Sequence, residues 1–501
     1  MGSNPFAGAP GSPSSPRPPG GRRAQFPGIF APTRAPVDRA PRVLVGLSIL
    51  VVLAMIAGGA YVVLRGGRQY PSAWDPKVAG IAEWVADERD LAFDHPVEVK
   101  FLSEAEYRKA STDGEDVADP AEDAALDDAL AQLRALGLIA GEVDLGKATD
   151  TLSDSGTLAY YSPGTEKVYV RGTKLTPALR VTLAHELTHV LQDQRFDLER
   201  LEGLGEGESS TLRALAEGDA GRIEDIYVAE VLTAEERMAY EAEASSSGTE
   251  ATEKLEKEVP PVLTALFAAP YVFGPELVAY LDRSGGSEAI DEALADPPGE
   301  DVLFNPLLAG TDEAGRETLT VDPPKGSEVI DDGEFGPTAW YVLLASRMEP
   351  STALRAADGL AGDGYTVYRA DEGKRVCVRG RAVGDAESDV TELRDALTAW
   401  VAQSPPDTAS VEVVDATVRF ESCDPGAEAA AVGSVSVELL QLPVIRTALY
   451  NQALGAEATD AQARCLAQAV IDRFAFSQIM AGILAGPEGQ QALGEIAAGC
   501  R

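Results

Sequence analysis

Two of the chain's three histidines lie four residues apart around a glutamate, in the run His185-Glu186-Leu187-Thr188-His189. The surrounding LRVTLAHELTHVLQDQ follows Thr176-Pro177 and reads as a helix, with Leu183, Leu187, Val190 and Leu191 as its apolar stripe. Residues i and i+4 of a helix share one face a turn apart, so both imidazoles can reach a single cation. Glu186 is placed beside them to accept a proton from coordinated water rather than to bind the cation. Zn2+ is the expected occupant, because it takes tetrahedral nitrogen and oxygen ligands and leaves one position open. Without a metal, the same run would be a helix with two surface histidines.

A third protein ligand is needed, and only His95 remains among the histidines. That excludes the extended H-E-x-x-H-x-x-G-x-x-H arrangement. The expected ligand is therefore a carboxylate on a following helix. Glu217, in LRALAEGDAGRIEDIYV, has the small residues Gly218, Ala220 and Gly221 around it, which would let two helix backbones approach closely. Glu224, Asp219 and His95 stay open as alternatives. Tyr161, Tyr227 and Tyr271 are the candidate phenols for an oxyanion, and each could equally be a packed aromatic.

HELTHVLQDQ together with ALAEGDA resembles the gluzincins, zinc metallopeptidases with H-E-x-x-H on one helix and a glutamate ligand on a later one. With the N-terminal apolar run and PYVFGPELVAYL, the arrangement is similar to poorly characterised membrane-anchored members from high-GC bacteria. The resemblance covers residues 90–310 and is specific at the two motifs. It implies that His185, His189 and Glu217 bind zinc and that Glu186 is the general base. It also implies an edge strand, here Lys167–Val170, that would hold extended peptide by β-augmentation. The aspartate that often follows the ligand glutamate by one turn is Gly221 here, leaving Asp219 or Asp193 to orient an imidazole.

The elements that must position these residues can also be read. Residues 1–42 are rich in Pro, Gly, Ser and Arg and are expected to be a disordered cytoplasmic tail. Val43–Leu64 carries no charge and, as a helix of about 33 Å, would cross a bilayer once. Six arginines precede it and Arg65 and Arg68 follow, which puts the remainder outside the cell membrane. Residues 65–337 are expected to form a helix-rich α+β, zincin-like catalytic domain. A hairpin turns at Ser162-Pro163-Gly164, helices run at 209–231, 262–283 and 286–295, and residues 241–258 make an exposed excursion. Residues 338–501 form a C-terminal α/β region whose SVEVVDATVRF reads as one strand. All four cysteines lie beyond the expected membrane span. Cys377–Cys423 and Cys465–Cys500 are the favoured disulfides.

A net charge of −39 argues against nucleic-acid binding. The leading expectation is a membrane-anchored, extracytoplasmic zinc peptidase acting on peptide or protein substrates. The alternatives are a non-catalytic binding or sensor protein on a zincin scaffold, and a zinc that only staples the fold.

Overall fold

The structure, a computed structural model, describes residues 70–112, 120–154, 158–311, 314–429 and 433–500. The expected tail and the expected span Val43–Leu64 lie outside them. The first elements are α1 (Ala79–Arg89), β1 (Glu98–Leu102), α2 (Glu104–Thr112), α3 (Pro120–Ala135), α4 (Leu145–Asp154), β2 (Ala159–Ser162) and β3 (Lys167–Arg171). Long helices follow: α5 (Pro177–Phe196), α6 (Glu206–Glu230), α7 (Ala234–Glu258) and α8 (Pro261–Ala295). The fold class is α+β.

Helix α5 begins where expected. Thr176 accepts the Leu179 N–H, Pro177 fills the first turn, and Asp197 ends the helix in the left-handed region at φ 58°. From Val181 to Gln192 every residue is buried, so the amphipathic helix expected from its stripe is a core helix on all sides. The β2–β3 hairpin forms as expected. The three-stranded sheet has the order β1-β3-β2, with β3 parallel to β1 and antiparallel to β2. Lys167–Val170 is therefore its central strand, and β2 takes the edge position beside α5, because β1 occupies the second side of β3.

The stretch 241–258 is not an excursion but the second half of α7. Thr233 and Glu236 form a capping box, and Tyr240, Ala244, Gly248, Ala251 and Leu255 bury one side at helical spacing. Its small buried residues were masked by the Ser, Glu and Lys between them. In α8 the backbone leaves the helical region at Gly286 (φ 68°), the boundary expected between two helices. By length and composition α8 could cross a membrane, but half of its most apolar window is buried and it packs along α6. That contact is a backbone approach. A Cβ on Gly218 would lie 2.5 Å from the Gly274 carbonyl, and one on Gly274 would lie 2.0 Å from the Ala214 oxygen.

The remaining elements are α9 (Glu300–Phe304), β4 (Glu317–Thr318), β5 (Glu328–Gly333), α10 (Gly336–Ala345), α11 (Pro350–Asp358), β6 (Leu360–Ala370), β7 (Arg375–Gly384), α12 (Glu387–Val401), β8 (Ala409–Val414), β9 (Thr417–Cys423), α13 (Gln441–Gly455), α14 (Asp460–Arg473), α15 (Phe476–Met480) and α16 (Pro487–Gly499). The second sheet has the order β4-β6-β7-β9-β8, and β5 also pairs with β6. SVEVVDATVRF is two strands rather than one, because Asp415 and Ala416 both adopt positive φ and reverse the chain. Cys377 and Cys423 are cross-strand partners on β7 and β9 and form one disulfide, and Cys465–Cys500 forms the other.

Two main apolar cores result, and they do not part at residue 337. The larger runs from Leu130 to Leu493 and includes Leu212 and Leu215 of α6 with Trp340 and Tyr341 of α10. The smaller holds α1, the first sheet, α5, and Ile223 and Tyr227 of α6. Helix α6 thus belongs to both cores, and Glu217 lies at the junction.

Two outcomes follow from this packing. Gly274→Ala should destabilise the fold by about 2 kcal/mol despite alanine's better helix propensity, because backbone must move to admit the Cβ. Denaturant unfolding checks this, and unchanged stability would refute the contact. At the start of α6, burial and then the Asp331 charge push the Glu206 carboxyl up to about 7. The Tyr365 hydroxyl lies 2.8 Å from Asp331 and 3.3 Å from Glu206. A carboxyl raised by folding stabilises the fold below its unfolded pKa, and that contribution is lost as pH rises through about 7. Glu206→Gln should therefore raise the melting temperature at pH 8 and leave it nearly unchanged at pH 4.

Candidate metal centre

His185 and His189 project from one face of α5 onto α6. Their Nε2 atoms are 3.1 Å apart, and the Glu217 Oε2 lies 3.4 Å from the first and 3.6 Å from the second. A tetrahedral cation with ligand bonds of 2.0–2.1 Å would hold its donors about 3.3 Å apart. The three atoms already stand near that spacing. Two bare imidazole nitrogens this close repel unless a proton or cation sits between them. The Glu217 Oε2 is buried without a hydrogen-bond partner, while its Oε1 accepts the Tyr271 hydroxyl at 3.2 Å. The carboxylate thus offers one oxygen to the histidines. Among the described residues, this is the one group of three or more His, Cys, Asp or Glu side chains arranged to hold a metal ion.

The charges agree. Burial opposes ionisation of both imidazoles. Even so, Glu217 and Glu224 hold His185 well above its ordinary pKa, and Glu217 raises that of His189. Burial would raise the Glu217 carboxyl, but His189 and His185 outweigh it and hold it down to about 2. These are groups waiting for positive charge between them. Burial and the Glu217 charge keep the Tyr271 phenol protonated, so it stays a donor.

A second layer fixes the imidazoles. The Gln192 side-chain N–H groups go to the Ala216 carbonyl at 3.1 Å and Asp219 Oδ2 at 2.9 Å, which leaves its Oε1 to accept from His189 Nδ1 at 2.9 Å. That places the His189 proton on Nδ1 and turns the Nε2 lone pair toward the centre. Asp219 is held in turn by Arg89 at 2.9 Å and Arg222 at 3.2 Å, and Arg89 also binds Asp291. His185 Nδ1 lies 3.3 Å from Glu224 Oε2, close enough for charge attraction but not aligned for a hydrogen bond. Glu224 itself accepts the Tyr240 hydroxyl at 2.9 Å.

Several expected roles are reassigned. Glu224 and Asp219 support the centre rather than compete with Glu217, and Asp219 acts through the Gln192 amide. Asp193 orients no imidazole. It accepts the Tyr161 hydroxyl at 2.6 Å and the Leu198 N–H at 2.8 Å. His95 is elsewhere, stacked on Tyr70 and facing Glu166. Tyr227 is a packing residue set edge-on against Trp84. Gln192, a polar residue late in the helix, is 1 % exposed. Its i+3 spacing from His189 was the available signal. Arg89 and Tyr240, far away in sequence, gave none.

Glu186 is fully buried, its charge acts on both imidazoles, and its Oε2 accepts the Tyr161 backbone N–H of β2 at 2.8 Å. The edge strand and the motif glutamate are therefore in direct contact. Compared with known proteins, the chain matches no protein family, no curated protein and no solved structure.

The relay carries its own test. Gln192→Met keeps the volume but removes the link to Asp219, and should weaken metal binding about 10- to 100-fold. Isothermal titration of the apoprotein with zinc reads this directly. Affinity equal to wild type would remove Gln192 from the support of His189.

Proposed function

We propose that this chain is a zinc-dependent peptidase, tethered by its N-terminal apolar segment and acting outside the cytoplasm. The observation that carries the reading is the convergence of His185, His189 and Glu217 with Glu186 alongside them in the same helix. Zinc held by those three residues would supply Lewis acidity toward a carbonyl and would lower the pKa of water. The chain's own residues do the rest. Glu186 accepts the proton of the attacking water and passes it to the leaving amine. The Tyr161 N–H fixes one Glu186 oxygen and with it the distance from β2 to the centre. Tyr271 places a protonated phenol against Glu217, where it can donate to negative charge developing on the substrate. An extended peptide would lie along β2, the strand at the edge of the sheet. The two disulfides fit an oxidising compartment.

One observation favours a second reading, in which the metal staples the fold. His185, Glu186, His189 and Glu217 keep at most 4 % of their surface, and the centre sits where the two cores meet. A purely structural site would normally be closed by a fourth protein ligand, usually cysteine. Here all four cysteines are in disulfides.

Hydrolysis of casein by the full-length, zinc-loaded protein separates the two. Glu186→Gln should bind zinc with wild-type stoichiometry and lose at least about 1,000-fold in rate. Equal rates in wild type and variant, or no hydrolysis by either, would leave the staple.

A further inference from the structure

Arg213 stands one turn before Glu217 on α6, so both side chains leave the same face of the helix. Its charge interacts with Tyr271 and Glu217, the phenol and the acid of the centre. Yet among the described residues its guanidinium makes no hydrogen bond and no ion pair, and its Nε is sealed from water without a partner. This is unusual in a chain with 81 acidic and 42 basic residues. The more deeply buried Arg89 and Arg446, and the half-buried Arg134, each pair with an aspartate. Arg347 at least donates to a carbonyl and a hydroxyl. Burial works against the Arg213 charge, and the charge interactions with Tyr271 and Glu217 offset it only in part.

The one acid whose charge reaches Arg213 is already committed. Glu217 is shared by His185 and His189 or by the cation they would hold. Arg213 is also the one residue between Thr211 and Ala220 that retains intermediate exposure. A guanidinium with no protein partner, one helical turn from Glu217 and still partly open to solvent, can take an anion brought by the ligand.

We infer that Arg213 is the recognition residue for a substrate carboxylate lying one residue beyond the scissile bond. The chemistry is met by the free C-terminus of a peptide or by an acidic side chain at the same place. From a scissile carbonyl carbon to the terminal carboxylate carbon of the next residue is about 3.7 Å by bond lengths. That is less than the 5–6 Å between Cβ atoms one helical turn apart, so one ligand can meet Glu217's cation and Arg213 together. The inference rests on the peptidase reading for the word substrate. The binding it asserts is measured separately from turnover.

The experiment uses the full-length, zinc-loaded Glu186→Gln protein and three fluorescent probes. They are dansyl-Gly-Phe with a free C-terminus, dansyl-Gly-Phe amide, and dansyl-Gly-Glu amide, which carries its carboxylate on the side chain. The free acid should bind at least about tenfold more tightly than its amide. Adding Arg213→Met should abolish that preference with zinc stoichiometry unchanged, and Arg213→Lys should restore part of it. Tight binding of the Glu amide would assign the carboxylate to a side chain, and weak binding would assign it to the C-terminus. Equal binding of acid and amide, a preference that survives Arg213→Met, or no binding of any probe would overturn the inference. If wild type fails to cleave the probes while the preference holds, the peptidase reading falls and the carboxylate site stands.

Discussion

Three buried donor atoms at mutual distances of 3.1–3.6 Å, two of them imidazole nitrogens, are the constraint around which this chain is built. Left without positive charge between them they repel, and each is buried where water cannot screen that repulsion. Their arrangement is held because the residues behind them are satisfied in series. His189 leans on Gln192, Gln192 on Asp219, and Asp219 on Arg89, which reaches from α1 and also holds Asp291 of α8. Four separate elements therefore meet in one polar chain inside an apolar protein. Such networks are costly when broken and specific when complete.

The placement of α6 explains why the two cores cannot be considered apart. Its first half packs in the larger core and its second half in the smaller, with Glu217 between them. The Gly218–Gly274 approach sets the depth at which Glu217 stands against α5, since any side chain there would push α6 and α8 apart. A cation at the centre would join the smaller core, through α5, to the junction helix. Metal binding and the docking of the two cores are thus coupled, and the same geometry accommodates both catalysis and a structural metal. The proposed catalytic role rests on Glu186, a buried acid whose charge acts on both imidazoles and which is not one of the three residues grouped for a metal.

The motif was legible because its chemistry is local: i and i+4 on one helix, with an N-cap and a proline marking where that helix starts. Glu217 was legible through the small residues beside it, of which Gly218 makes the close contact while nothing crowds Gly221. Both disulfides followed from strand and helix patterns. What the sequence hid was long-range or masked by composition. Gln192 looks like solvent-facing polar surface until α6 covers it. The buried side of α7 consists mostly of alanine and glycine, which carry little apolar signal. The β8–β9 turn lacks the glycine that marks most such reversals, and uses Asp415 and Ala416 instead. The continuity of the larger core across residue 337 depends on pairings such as Arg134 with Asp424, hundreds of positions apart, which no local pattern encodes.

X-ray absorption at the zinc edge of the purified full-length protein reads the centre itself. One zinc per chain is expected, with a first shell of nitrogen and oxygen near 2.0 Å and the outer-shell scattering of two imidazoles. A shell of oxygens alone, a sulfur neighbour, or failure to retain zinc would contradict it.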